Sequence, residues 1–297
     1  MEIEIDKDAG FCSGVSRAIR LAEQELSQHG QLYSLGALIH NEAESNRLEQ
    51  LGLRVIDHQQ FAVLHDATVL IRAHGEPPAT YETARKNNLR LIDATCPVVL
   101  RLQQKVKQAH QQPEVQIVIF GRKNHPEVIG LNGQTGNRAI IVEAEDDLKQ
   151  IDFARPIYLF AQTTQNRNLY QQLTESIAKA GSEIIDADML HFTTTDSICR
   201  QVSNRDSRMA QFAKEHDVII FVSGASSSNG KYLCGVCREN NAKTFQVAAI
   251  DEIKNEWFTG AKKVGITGAT STPLWLLSQA AAHIKTIIKN RQNDDVS

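Results

Sequence analysis

Short apolar runs punctuate the chain, set between stretches in which apolar positions recur at three- and four-residue intervals. TVLIRA (68–73), VQIVIF (115–120), PIYLFA (156–161), VIIFVS (218–223) and KVGITG (263–268) each predict a strand. RLIDAT (90–95), EIIDA (183–187) and EIEID (2–6) predict three more. Among the intervening stretches, Val15, Ala18, Ile19 and Ala22 form one helical stripe, and Val99, Leu102, Val106 and Ala109 form another. Strands and helices alternate, which predicts an α/β fold with mainly parallel sheets.

The order of these parts recurs three times. A cysteine leads into a helix: Cys12, Cys96 and Cys199. A strand then ends in a polar loop that carries His40, His125 or Ser227–Ser228–Asn229. A second strand ends in another, with His74, Thr163 or Ser271. The interval from cysteine to first loop is nearly constant, and the interval to the second drifts as loop insertions allow. Any α/β chain spaces its loops with some regularity; polar residues of matching role at matching places argue for a true repeat. The repeat predicts three similar α/β lobes about a pseudo-threefold axis: 13–96, 97–195 and 196–290, with strand 2–6 joining the third sheet and 291–297 a polar tail. In open parallel sheets ligands collect at the carboxyl ends of the strands. Three such lobes would aim their polar loops and their three sulfurs at one centre.

Size and charge narrow the function classes. At 297 residues the chain is long for a single core, and 41% hydrophobic residues are enough to fill several. There are 32 Lys and Arg against 35 Asp and Glu, a net charge of −3 with no basic cluster, which argues against nucleic acid as a partner. MEIEIDKDAG does not read as a signal peptide, and no apolar run approaches a membrane span. The expectation is a soluble cytoplasmic protein whose five cysteines are reduced and available for metal or redox chemistry.

Pro97 suits the first turn of a helix, where its missing N–H is no loss, so Cys96 falls at the positive end of that helix, which favours an anionic sulfur. GFCSGV (10–15) repeats the theme, and Thr194, Thr195, Asp196 and Ser197 supply caps ahead of Cys199. Taken singly, each cysteine reads as a small buried hydrophobe. Taken together, the three could hold zinc with an open position, or three irons of a [4Fe–4S] cluster whose fourth iron is open; all-sulfur ligation leans toward the cluster. Cys234 and Cys237 form C-G-V-C, a redox or metal motif in other contexts, but without a preceding strand–turn they read as packed residues. SSSNG (226–230) reads either as an uncharged anion site at a helix start or as an ordinary cap. His40 and His74, each after a strand, read singly as satisfied polar residues. In NHPEV, His125 and Glu127 form a candidate acid/base pair.

GFCSGVSRAI, IHNEAESNRLEQLG, AHG, DATCPVV, GRKNHPEVIGLNGQT, AQTTQN, DSICRQVSNR, SSSNG and ATSTP run from residue 10 to 273. Together they resemble the 4-hydroxy-3-methylbut-2-enyl diphosphate reductase family. The resemblance implies three α/β lobes around a central iron–sulfur cluster, one [4Fe–4S] per chain, held by Cys12, Cys96 and Cys199. It implies that His40, His74, Ser227, Ser228, Asn229 and Ser271 hold a diphosphate, with His125 near it. Thr163 would lie beside the substrate hydroxyl and Glu127 would drive proton delivery. The implied reaction is a two-electron removal of that hydroxyl, with electrons from a small ferredoxin- or flavodoxin-type carrier. C-G-V-C belongs to none of these motifs.

Overall fold

The computed structural model describes residues 1–294 except 187–188 and 225–226; the side chains of Val202, Ser203, Ser228 and residues 290–294 also lie outside the description. Three four-stranded sheets organise the chain. The first contains β2 (Leu32–Leu35), β3 (Leu53–Ile56), β4 (Thr68–Ile71) and β5 (Arg90–Asp93), in the order β3-β2-β4-β5. The second contains β6 (Gln116–Phe120), β7 (Ile140–Val142), β8 (Ile157–Ala161) and β9 (Phe192–Thr194), in the order β7-β6-β8-β9. The third contains β10 (Val218–Val222), β11 (Thr244–Val247) and β12 (Lys263–Gly268), with β1 (Glu2–Ile5) at its edge, in the order β11-β10-β12-β1. The strand order is the same in all three. The N-terminal strand completes the last sheet, pairing in parallel from Glu2 opposite Lys263 to Ile5 opposite Ile266.

The inner strands explain the apolar runs. Every residue of β6 and β10 is buried, as is nearly all of β4, β8 and β12. Parallel strands covered on both faces read as continuous hydrophobic stretches rather than alternating ones. The helices show the amphipathic spacing instead. In α5 (Pro97–His110) the buried residues include Val99, Leu102, Val106 and Ala109, and in α1 (Ser13–His29) they include Ala18, Ile19 and Ala22.

One predicted strand is replaced by a helix end. EIIDA does not close the second sheet: α7 (Arg167–Ile184) runs through its first half, and β9 lies further on. Tyr170, Ile177 and Gly181 are buried along α7, and a Cβ at Gly181 would meet Leu190 at 2.8 Å and Phe153 at 3.0 Å. Ile184 ends up exposed, while Phe192, Thr193 and Thr194 pair with Ile157, Tyr158 and Leu159. Ala187 in EIIDA lies outside the described residues.

The chain forms two compact units. Leu32–Gly36 and Arg54–Ser203 make one, which contains the first two sheets. Its core includes Leu35, Val69 and Ile71 in one cluster, Leu102, Ile119 and Phe160 in a second, and Val118, Leu159 and Ile177 in a third. Met1–Gln31, Ala37–Leu53 and the chain from Asn204 onward make the other unit, built on the third sheet. Its core includes Val218, Ile220, Ile266 and Leu277, with a second cluster around Met209, Phe221 and Leu233.

Candidate active site

In the unit that holds the first two sheets, polar side chains gather where inner strands end. His74 lies just past β4, and His125 caps α6 (Pro126–Gly133) just past β6. Their rings meet edge to face, with centroids 5.2 Å apart. The sequence reading pairs His125 with the Glu127 carboxyl group, and the structure divides those roles. His125 Nδ1 accepts the Glu127 backbone N–H at 3.1 Å, while the Glu127 carboxyl group turns to Thr163 beyond β8. Thr163 donates its N–H at 2.6 Å to one oxygen and its hydroxyl at 2.8 Å to the other. Glu127 is 1% exposed. Burial pushes its carboxyl up to about 7 against the opposing effect of both Thr163 bonds.

Both cysteine-bearing turns of this unit are tied to the same loops. The Cys96 N–H donates to Ala73 O at 3.0 Å, beside His74, and the Cys199 N–H donates to Thr163 O at 2.8 Å. Cys96 is the N-cap of α5, with Pro97 at its first position. Ahead of it, Asp93 accepts the Thr95 N–H at 2.9 Å and the Tyr81 hydroxyl at 3.0 Å, closing the turn that presents the sulfur. Cys199 immediately precedes the short helix α8 (Arg200–Ser203).

In the other unit Cys12 is the N-cap of α1. His40 precedes α2 (Glu42–Gln50), whose cap Asn41 accepts the Glu44 N–H at 3.0 Å. Ser227 caps α10 (Ser228–Asn240), accepting the Gly230 N–H at 3.0 Å. Gly224 approaches the His40 carbonyl so closely that a Cβ there would meet it at 3.0 Å, which sets the His40 and Ser227 turns side by side. Asn229 donates to Thr270 Oγ1 at 2.8 Å, joining the third loop, which carries Ser271. The Ser271 hydroxyl oxygen is buried and has no hydrogen-bond partner among the described residues. The side chain of Ser228, and Ser226 as a whole, lie outside the described residues.

Sequence reasoning missed the residues that hold these loops. Glu44, 1% exposed, accepts from Trp275 Nε1 at 2.7 Å and from Arg47 at 2.6 and 2.9 Å, joining α2 to α11 (Leu274–Asp294), which starts just after Ser271. Nothing separates Glu44 from its exposed neighbour Glu42 in the sequence except the N-cap register of Asn41 three residues earlier.

The five cysteines divide into two chemical classes, and none is in a disulfide. Cys12, Cys96 and Cys199 are half-buried at turns. Cys234 and Cys237 are buried inside α10 against Met209, Phe212 and Phe221. Burial raises both of their thiol pKa values, that of Cys237 to about 12, which keeps them protonated and unreactive. They therefore pack rather than ligate.

A family model described as LytB protein matches residues 3–285. The chain belongs to the LytB protein family. A 4-hydroxy-3-methylbut-2-enyl diphosphate reductase of Bacteroides fragilis is 45% identical to this LytB chain over 294 residues, covering 98% of it and 100% of the relative. One from Parabacteroides distasonis is 46% identical over 290 residues, covering 97% and 98%. A solved structure of (E)-4-hydroxy-3-methyl-but-2-enyl diphosphate reductase, the terminal enzyme of the non-mevalonate pathway, has a TM-score of 0.76 at 34% identity and covers 96% of this chain and 99% of its own. The Plasmodium falciparum E-1-hydroxy-2-methyl-but-2-enyl-4-diphosphate reductase has a TM-score of 0.79 at 26% identity, covering 95% and 87%.

The residues of the LytB chain suit a sulfur-ligated cluster. Its three turn cysteines are the same donor type at equivalent points of the repeat, each beyond the edge strand β5, β9 or β1. Among the described residues no three His, Cys, Asp or Glu side chains are grouped closely enough to enclose a single ion. In a cluster each thiolate binds its own iron, so the sulfurs need not crowd about one point.

Proposed function

We propose that this chain reduces (E)-4-hydroxy-3-methylbut-2-enyl diphosphate to isopentenyl and dimethylallyl diphosphate, with loss of the hydroxyl as water. The balance is two electrons and two protons in, one water out. One proton goes to the departing oxygen and the other to a carbon of the allyl unit. Cys12, Cys96 and Cys199 would hold a [4Fe–4S] cluster, which when bound supplies a Lewis-acidic iron and a path for single electrons. The electrons would come from a ferredoxin- or flavodoxin-type carrier.

The observation that carries this reading is the buried Glu127–Thr163 pair. With its pKa raised to about 7, Glu127 holds a proton in a substantial fraction of molecules at neutral pH. Once protonated, its O–H can donate to Thr163 Oγ1, which frees the threonine hydroxyl to donate outward to a substrate oxygen. The Thr163 carbonyl meanwhile fixes the Cys199 turn. Proton source and sulfur-bearing turn thus share one residue.

His40, Ser227, Ser228, Asn229 and Ser271 would bind the diphosphate, together with His74 and His125. Hydroxyl, amide and helix-start N–H groups match phosphate oxygens without fixed positive charge, and the histidines add a charge that protonation can adjust. This suits a chain of net charge −3. Among the described residues no helix is long and apolar enough to cross a membrane.

Anaerobic purification with iron and sulfide analysis, followed by turnover of the allylic diphosphate with a reduced carrier, tests the reading. Iron and sulfide in near-equal amounts and formation of both C5 products uphold it. A zinc-loaded protein, or a cluster-loaded one inert toward the alcohol, refutes it.

A further inference from the structure

Arg205 is a buried cation whose hydrogen bonds run to neutral carbonyls. It opens α9 (Arg205–Lys214) and is 8% exposed. Its Nη2 donates to Gly268 O at 2.8 Å and its Nη1 to Gly10 O at 3.4 Å. Its Nε is buried with no hydrogen-bond partner among the described residues. Burial lowers its pKa, and Asp6, Cys12 and Asp8 oppose that effect. A guanidinium buried against neutral carbonyls is unfavourable unless a negative charge lies close by.

The two acceptors show which turns the guanidinium joins. Gly10 lies two residues before Cys12, and Gly268 three before Ser271. Neither can move readily to suit the arginine. Gly10 has φ +102°, and a Cβ there would meet the Leu274 side chain at 3.0 Å; at Gly268 it would meet Val222 O at 2.4 Å. The backbone at both places is set by its surroundings, so the guanidinium bridges two fixed points.

We propose that Arg205 is a positioning residue that clasps the Cys12 turn to the Ser271 turn and supplies the buried positive charge required by the anionic group Cys12 helps to hold. This rests on the cluster reading above. A nearby cation stabilises the more negative, reduced form of a thiolate-bound cluster and so raises its midpoint potential. Clasping the Ser271 turn, the same side chain also bears on diphosphate affinity.

Arg205→Gln and Arg205→Lys, purified anaerobically beside the unaltered protein, separate charge from clasp. Three quantities are read: iron per chain, midpoint potential by redox titration followed by EPR, and KM apart from kcat. Arg205→Gln is expected to lower the midpoint potential and to release iron to a chelator several-fold faster. Arg205→Lys keeps the charge and loses the two-pronged donor, so its potential should stay near that of the unaltered protein while KM rises several-fold. A glutamine variant with unaltered potential and iron retention overturns the proposal, as do two variants that shift the potential equally. If the glutamine variant does not fold, the lysine variant decides: an unchanged potential with a raised KM upholds the proposal, and an unchanged KM or a lowered potential overturns it. An unaltered protein that binds no cluster refutes the cluster reading itself, a result distinct from a loaded protein indifferent to Arg205.

Discussion

Glu127 shows how one residue links stability to chemistry. Its carboxyl group titrates near 7 in the folded protein and near 4.5 once exposed. Between those values the native state binds the extra proton, so this residue's contribution to stability falls as pH rises from 4.5 to 7 and stays low above. A shift of that size corresponds to roughly 3 kcal/mol. Glu127→Gln mimics the neutral form. Its Tm is expected to exceed that of the unaltered protein at pH 8 and to approach it near pH 4.5, as read by thermal melts across that range. The cluster should be retained, while turnover falls by about 100-fold or more, the usual contribution of general acid catalysis. Unchanged turnover in a cluster-loaded sample would remove Glu127 from the mechanism. NHPEV marks this residue in the sequence, but its partner does not show there, because Thr163 reaches it only through the pairing of β6 with β8. Arg205 was hidden for the same reason: its acceptors lie in the first turn of the chain and at the end of the last strand.

At the scale of elements, position on a helix decides what a cysteine does. Cys96 at the head of α5 and Cys237 inside α10 should respond differently to replacement. Cys96→Ser is expected to cut iron per chain sharply while leaving the apo-protein's urea midpoint almost unchanged. Cys237→Ser buries a hydroxyl in an apolar cluster, and is expected to cost about 1–3 kcal/mol in the urea midpoint with full iron content in the folded fraction. Iron analysis paired with urea denaturation reads both. The inner strands were legible because a strand buried on both faces leaves an uninterrupted apolar run. β9 was not, because it is a three-residue edge strand, Phe192–Thr194, with two exposed threonines, and the nearby isoleucines that look more strand-like belong to the end of α7.

Across the whole molecule, one strand order used three times turns a linear repeat into three equivalent sets of strand ends. The third set is complete only because β1 pairs with β12 and the Asp6 side chain accepts the buried Thr267 hydroxyl at 2.8 Å. Deleting residues 1–6 removes that acceptor and exposes the edge of β12. The truncated chain is expected to lose solubility and to unfold at lower urea than the full chain, and a matching midpoint would refute this account of the edge. The pairing of Glu2 with Lys263 also bears on synthesis. At about 5–20 residues per second, β1 leaves the ribosome roughly 13–50 s before the strand it must join. Throughout that interval its backbone has no native neighbour. Glu2 and Glu4, alternating with Ile3 and Ile5, give the waiting segment a charge at every second position, which discourages pairing with other nascent chains.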